Sequence, residues 1–174
     1  DSATMANKAL ELIEAHHLFA VNDQRLEAII HPTSLVHGMV HLCDGTTLLQ
    51  MCTPDMAGPI RWALTAGEHD AAVAPTLNPL ELTSLEFTPV DAERFPFVGL
   101  GFEVIRKGGG AGCVLNAADE VCVQAFLDGR LPYLDVYHFV AEAVDRFGHH
   151  DPSTLTDILE LDIAVREDVA NRIP

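Results

Sequence analysis

Polar side chains of four chemical kinds stand close together at the start of the chain. A hydroxyl at Ser2 precedes residues 6–20, a segment without Gly or Pro whose apolar spacing predicts an amphipathic helix. Asn7, Lys8 and Glu11 follow at spacings that place them on one face of that helix. Backbone N–H groups at a helix start favour an anion, so hydroxyl, amide and ammonium there would suit a phosphate. The carboxylate one turn later would suit a hydroxyl or a metal ion.

The same residues also have a simpler interpretation. Ser2 and Thr4 before a helix are ordinary caps, and Lys8 with Glu11 can be a solvent-facing ion pair of little energetic consequence. Capping is the commoner use of such a pattern, so spacing alone favours this alternative.

The charge balance limits the partners. The 174 residues include 26 Asp and Glu against 10 Lys and Arg, which gives a net charge of −16. This excess argues against nucleic acid and anionic membranes. If the substrate is an anion, an acidic protein must place its few Lys and Arg side chains at the binding site. This makes Lys8 a stronger candidate for binding it. The sequence shows no signal peptide and no apolar run near the roughly 18 residues of a membrane span.

The cysteines point to a reducing compartment. Four are present without a CxxC pair, each in an apolar context, which predicts buried free thiols. They are Cys43, Cys52, Cys113 and Cys122. We therefore expect a cytoplasmic protein.

A hairpin is predicted after the first helix. Asp44-Gly45 separates the β-prone residues 35–43 and 46–52, which predicts a two-residue turn with His41 opposite Leu48. One face is then expected to be buried: Val36, Val40, Leu42, Leu49 and Met51. The other face carries His37, Met39, His41, Gln50 and Cys52, and we expect another domain or a partner subunit to cover it. Residues 26–31 predict a further strand.

The second half of the chain predicts helices. We expect one from Pro96 to the glycines 108–110, then helices over 114–128 and 135–147, and two short ones within 153–173 broken near Leu161-Asp162. The glycines lack the strand that precedes a phosphate loop, so they indicate a helix stop. Predicted core positions are Val121, Phe126, Phe139, Val140, Ile158, Ile163 and Val169. The sequence therefore predicts an α+β fold, with a helix-backed β-sheet fragment over 1–65, a connector over 66–91 and an α-helical bundle over 92–174.

Five blocks of sequence resemble the 1-deoxy-D-xylulose 5-phosphate reductoisomerase family, in the family's order. They are SATMANKALE at 2–11, HPTSLVHGMV at 31–40, PDM at 54–56, FP at 95–96 and LNAADE at 115–120. The resemblance implies rearrangement of 1-deoxy-D-xylulose 5-phosphate and its reduction by NADPH to 2-C-methyl-D-erythritol 4-phosphate. It also implies a divalent metal, magnesium or manganese, and a homodimer.

The resemblance also implies roles for individual residues. Ser2, Asn7 and Lys8 match contacts to the substrate's phosphate and hydroxyls, and Glu11 matches a metal ligand. Lys8 and Glu11 are thereby the expected catalytic residues, and His37 and Met56 match residues that line the family's pocket. A hard cation prefers carboxylate oxygen, and the helix start supplies fixed dipoles, so the chemistry of the residues agrees.

Parts of the family pattern differ or are absent here. Ala6 stands where a second Met is common, and Thr33 where Gln is common. The family's nucleotide-binding domain, two acidic metal ligands and further Ser and His residues have no match in these 174 residues. We therefore expect a longer polypeptide, no NADPH-binding residues in this part, and no turnover by this part alone. The alternative is a non-catalytic dimerisation or interaction module that keeps the fold. Asn116 and Glu120 match the family too, and we expect them to tie the bundle to the catalytic part.

Overall fold

The computed structural model describes residues 1–67 and 76–174. By their contacts these residues form a helical unit, Asp1–Ala28 with Val90–Pro174, and a strand unit, Ile29–Pro89. Residues 68–75, which belong to the predicted connector, lie outside the described residues. The predicted α+β class with a helical C-terminal region is confirmed.

Short strands and two helices occupy the first half of the chain, and the second half is helical. In chain order the elements are α1 (Ala6–Phe19), β1 (Ile29–Ile30), β2 (Val36–His41), β3 (Thr47–Met51), α2 (Ala57–Leu64), β4 (Thr88–Pro89), α3 (Pro96–Lys107), α4 (Ala111–Leu127), α5 (Tyr133–Phe147) and α6 (Leu155–Arg172). Short 3-10 turns cover Asp23–Arg25 and Pro79–Glu81. Helices α1 and α3 to α6 belong to the helical unit, and the four strands with α2 belong to the strand unit.

Helix α1 packs in the helical unit. Its buried side consists of Ala6, Ala9, Leu12 and Ile13, and it contacts α3 and α4. Gly101 of α3 allows a close approach, because a Cβ built on it would lie 2.9 Å from the Cα of Ala9. The sequence pattern groups α1 with the sheet, whereas its contacts place it in the helical unit. The predicted boundaries near 65 and 91 concern domains of the complete protein and stay a prediction.

The bundle helices begin and end at local signals. Helix α3 starts at Pro96 and stops at Gly108, whose φ of +67° is costly for other residues. Helix α6 starts with a capping box, in which Thr154 Oγ1 accepts from Asp157 N–H at 3.2 Å and Asp157 Oδ2 accepts from Thr154 N–H at 2.9 Å. Hydrogen bonds from the Ser153 and Thr154 backbone lower the pKa of Asp157 below its ordinary value.

Helix α6 is continuous, so the predicted break near Leu161-Asp162 is wrong. Leu161 is buried against the bundle, and Asp162 accepts from Arg166 Nε at 2.7 Å one turn later. Both contacts favour an unbroken helix. Helix α6 also contains no proline, since Pro152 lies before its start.

The hydrophobic core lies in the helical unit. Its largest fully buried side chains are Phe97, Leu115, Val114, Val136, Val140, Val144, Val165, Val169 and Cys122. Of the predicted core positions, Val140 and Val169 are confirmed, and Val121 and Phe139 are partly buried. Phe126, Ile158 and Ile163 are exposed, so those three predictions are wrong.

The hairpin of β2 and β3 has a different register from the predicted one. Val40 pairs with Leu48 and His41 with Thr47, because the loop has three residues, 43–45. Leu42 N–H donates to Thr46 O at 2.8 Å, and Gly45 takes a φ of +87°. The turn therefore ends with a glycine in the left-handed conformation, and its loop is one residue longer than the predicted two-residue loop. The pairings beside the loop therefore shift by one residue.

The predicted burial of one hairpin face is wrong for three of its five residues within the described chain. Val40, Leu42 and Leu49 are exposed, whereas Val36 and Met51 are partly buried. Of the four cysteines, all free thiols, only Cys122 is fully buried, and Cys43 is exposed. The apolar residues of this hairpin therefore do not build a core with the residues described.

The remaining strands are shorter than predicted. Residues 26–31 contribute only β1, which pairs antiparallel with β4. His31 Nδ1 lies 2.7 Å from Glu86 O, and the ring of His31 stacks on Phe87, which holds the two strands together. No helix within the described part of the chain is long and apolar enough to cross a membrane.

Candidate active site

The turn before α1 engages its own backbone. Thr4 Oγ1 donates to Asp1 O at 2.9 Å and accepts from Ala6 N–H at 3.3 Å. Met5 N–H donates to Ser2 O at 3.3 Å, and Met5 itself has a φ of +61°. A left-handed conformation is uncommon for a residue with a Cβ, so this turn carries strain at the start of α1. The Ser2 side of the turn is exposed to solvent.

Asn7, Lys8 and Glu11 converge on one face of α1, as the spacing predicts. Asn7 Nδ2 lies 3.5 Å from Glu11 Oε1, and Lys8 Nζ forms an ion pair with Glu11 Oε2. Asn7 and Lys8 are half-buried, while Glu11 is more exposed. The carboxylate therefore holds an amide and an ammonium beside it, ready to bind polar groups of a ligand. An exposed ion pair alone adds little stability, so the contact is not needed for folding.

His37 and Met56 lie in the strand unit. His37 is exposed at an irregularity of β2, and its Nε2 lies 3.2 Å from Cys52 O. Met56 immediately precedes α2 and is 68% exposed. Each has a side chain available to solvent in its own unit.

Asn116 and Glu120 form a network at the surface of the bundle. Asn116 Nδ2 donates to Glu120 Oε1 at 3.4 Å, and Arg166 Nη1 of α6 pairs with Glu120 Oε2 at 2.8 Å. Hydrogen bonding to Asp162 and then to Glu120 raises the pKa of Arg166 above its ordinary value. Glu120 thus links α4 to α6. Sequence reasoning missed Arg166, although its spacing of four from Asp162 was a signal.

Asp119 is the second residue that sequence reasoning missed. It is only 3% exposed, and its Oδ1 has no hydrogen-bond partner among the residues described. Burial raises the pKa of Asp119 above its ordinary value, and the neighbouring Glu120 adds to the rise. Its position four residues after Leu115 and three before Cys122 places it on the apolar side of α4, which was the available signal.

The glycines 108–110 do not form a phosphate site. They join two helices, whereas phosphate loops follow a strand. Gly110 N–H donates to His150 O at 2.9 Å, and a Cβ on Gly109 would lie 2.7 Å from the same oxygen. The turn therefore packs against the segment between α5 and α6, and its amide is used within the bundle.

Comparison with known proteins gives consistent matches along the chain. Two relatives, each named 1-deoxy-D-xylulose 5-phosphate reductoisomerase, come from Chlamydia muridarum and Cupriavidus metallidurans. They are 42% and 43% identical, each over 95% of this chain, and the matches span 44% and 42% of the relatives. The chain therefore spans less than half the length of these relatives.

Solved structures of reductoisomerases are similar in fold. The reductoisomerase from Zymomonas mobilis in complex with NADPH superimposes with a TM-score of 0.91 at 40% identity, over 98% of this chain and 45% of that one. A second, in complex with magnesium, gives a TM-score of 0.89 at 36% identity, over 99% of this chain and 45% of that one. The profile of the DXP reductoisomerase C-terminal domain matches residues 51–168. This chain belongs to the DXP reductoisomerase family.

Proposed function

We propose that the complete protein converts 1-deoxy-D-xylulose 5-phosphate to 2-C-methyl-D-erythritol 4-phosphate, by rearranging the carbon skeleton and then reducing the aldehyde with NADPH. Membership of the family supports this activity. The observation within the chain that carries it is the convergence of Asn7, Lys8 and Glu11 at the start of α1. This reaction serves isoprenoid precursor synthesis without mevalonate.

The residues of α1 would bind the substrate. Ser2, Asn7 and Lys8 would hold its phosphate and hydroxyls, with Lys8 supplying a positive charge in a protein of net charge −16. Fixed donors of this kind cost no reorganisation when charge develops in the substrate. His37 and Met56 would line the pocket, and the exposed Met56 would exclude water from it.

Glu11 would be a ligand of the magnesium or manganese ion. The donor type fits, because a hard cation prefers carboxylate oxygen, and the Glu11 side chain is accessible. Within residues 1–67 and 76–174, no cluster of three His, Cys, Asp or Glu could hold a metal. The other ligands would come from substrate, water and the rest of the complete protein. When bound, such an ion stabilises the negative charge that rearrangement develops on oxygen. Lys8, paired to Glu11, holds that carboxylate in its orientation.

We propose that the described residues do not form the NADPH site. The glycines 108–110 are the best candidate by sequence, and they pack against His150 instead of opening a helix after a strand. We therefore assign no part of the hydride transfer to this chain and place NADPH binding elsewhere in the complete protein. By the same reasoning, we expect the 174 residues alone not to convert the substrate.

We also propose a cytoplasmic homodimer. The four free cysteines suit a reducing compartment. The exposed apolar residues of the hairpin, such as Val40 and Leu48, would be covered by the partner subunit. The same exposed hairpin favours the alternative function, a non-catalytic interaction module. The two functions differ in what they require of Glu11.

Replacing Glu11 by Gln in the complete protein tests the proposal. The amide keeps the size of the side chain and removes the charge that binds the metal, so we expect activity with NADPH and manganese to fall roughly 100- to 1000-fold. Glu14→Gln, an exposed carboxylate on the same helix, is the matched control and should keep full activity. An interaction module would show no NADPH oxidation in the unaltered protein, and no change on either substitution.

A further inference from the structure

We propose that Gly101 of α3 is a positioning residue, which fixes the place of Asn7, Lys8 and Glu11 by letting α1 lie directly on the backbone of α3. The inference rests on the proposed function, because it concerns the same group of side chains. The close contact of Gly101 is with Ala9, so its effect on the three polar residues would pass through α1.

The contact between α1 and α3 is closer than a side chain allows. A Cβ built on Gly101 would lie 2.9 Å from Ala9 Cα, 3.0 Å from Ala9 Cβ and 3.1 Å from Ala9 O. Two of these atoms are backbone, so a rotamer change cannot relieve the overlap. Carbon atoms in ordinary contact are about 3.5–4.0 Å apart. A methyl group at position 101 would therefore push α1 outward by roughly 0.6–1 Å.

The contact between Gly101 and Ala9 lies on the same turns of α1 as the polar residues Asn7, Lys8 and Glu11. Ala9 follows Lys8 in sequence and is fully buried, so a shift of its backbone moves Lys8 and the adjacent turn with it. Helix α3 would not yield instead, because Phe97, Leu100 and Val104 anchor it in the core. Binding and catalytic groups must stay within about 0.5 Å of their working positions. A misplacement of about 1 Å can cost on the order of 100-fold in rate.

The test uses glycine-to-alanine variants of the complete protein. For Gly101→Ala we expect kcat/KM to fall about 10- to 100-fold and the manganese concentration for half-maximal activity to rise several-fold. Gly99→Ala is the matched control on the same helix, since no described atom lies within 4 Å of its built Cβ. Gly112→Ala is a second control, with its built Cβ 3.6 Å from Ile13 Cγ2, an ordinary contact. Both controls should keep kcat/KM within about twofold.

A double variant separates positioning from general stability. In the Ala9→Gly background the new methyl group meets one atom fewer, so Gly101→Ala should lower kcat/KM by a smaller factor there than in the parent protein. No loss of kcat/KM from Gly101→Ala in either background would overturn the proposal, because the Ala9 backbone atoms remain in both. If Gly101→Ala folds too poorly to assay, the double variant carries the test: it must remain less active than Ala9→Gly, and equal activity would overturn the proposal.

A readout without turnover keeps this inference apart from the proposed function. Amide chemical shifts of residues 6–11 report the position of α1 whether or not the protein is a reductoisomerase. They should move in Gly101→Ala and stay unchanged in Gly99→Ala. If the amide chemical shifts move in Gly101→Ala but the parent protein is inactive, the proposed function is contradicted. The inference that Gly101 sets the position of α1 is then still supported. Unmoved shifts, or full activity in Gly101→Ala, would overturn the positioning role itself.

Discussion

The helical unit and the strand unit bury their apolar residues to very different extents. In the helical unit, side chains such as Val144, Val165 and Val169 are fully buried between helices. In the strand unit, Val40 and Leu49 are exposed on a two-stranded hairpin. A hairpin of two strands is marginal by itself in water. Burial in the first unit can therefore be explained by the described residues, whereas the apolar surface of the second requires something further to cover it.

The proposed active site extends this contrast to chemistry. Asn7, Lys8 and Glu11 are carried by a helix that the core holds in place, while His37 and Met56 lie on the exposed elements of the strand unit. A charge held on a rigid element contributes more to binding an anion than an apolar side chain at an exposed position. The two units are thus expected to contribute unequally to turnover.

The largest predicted effect compares one site residue from each unit. In the complete protein, Lys8→Gln should lower kcat/KM for the phosphorylated substrate roughly 100- to 1000-fold, because a charge-assisted contact to phosphate is lost. Met56→Ala should cost about tenfold, the scale of a lost apolar contact. Steady-state kinetics on both variants gives the comparison.

Lys107→Gln is the control for loss of a lysine in the helical unit. Lys107 pairs with Glu103 of its own helix at 3.2 Å and with Asp145 of α5 at 3.5 Å, and both pairs raise the pKa of Lys107. It should leave kcat/KM unchanged. A loss for Met56→Ala as large as that for Lys8→Gln would show that the strand unit is no less important to the site.

The second effect compares two valines by stability. Val165→Ala should lower the free energy of unfolding of the 174-residue chain by about 2 kcal/mol, because it removes fully buried methyl groups and leaves a cavity. Val40→Ala, at a position 56% exposed, should change it by no more than about 0.5 kcal/mol. Urea unfolding followed by circular dichroism measures both. If Val40→Ala were as costly as Val165→Ala, the strand unit would have a core of its own.

Local signals predicted the helical unit better than the strand unit. Pro96 and Gly108 fix the ends of α3 by their own backbone preferences, so those ends could be read from sequence. The hairpin register depends on whether one residue, Gly45, joins the loop in a left-handed conformation, and the pair Asp44-Gly45 is compatible with either loop. The predicted break in α6 failed because burial of Leu161 is a property of the packed bundle.

The candidate site shows the same limit. The spacing of Asn7, Lys8 and Glu11 predicted their shared face, since that follows from helix geometry alone. Their position relative to α3 depends on Gly101, which nothing in the local sequence marks as a contact of Ala9. Asp119 was missed because a carboxylate is usually at the surface, and only the finished packing of α4 shows that it is buried.

The smallest predicted effect concerns two carboxylates of the helical unit, with opposite dependence on pH. Asp119 is buried and its pKa is raised above 3.8, so its ionised form destabilises the folded chain once the pH exceeds the folded pKa. Asp119→Asn should therefore stabilise the chain by about 1 kcal/mol near neutral pH. The gain should shrink as the pH falls through the folded pKa and vanish below about 3.8, where Asp119 is protonated in both states.

Asp157 is the matched control, because its pKa is shifted the other way. Backbone hydrogen bonds from Ser153 and Thr154 lower its pKa, so its ionised form stabilises the folded chain at pH values above 3.8. Asp157→Asn should lose stability near neutral pH, and the loss should fade as the pH falls through the folded pKa. Urea midpoints at several pH values distinguish the two trends. If Asp119→Asn were instead less stable than the parent chain at neutral pH, the buried carboxylate would have to be ionised and paired. The Asp119 Oδ1 would then have a partner, and the core of the helical unit would be an ordinary interior in which buried polar atoms are hydrogen-bonded.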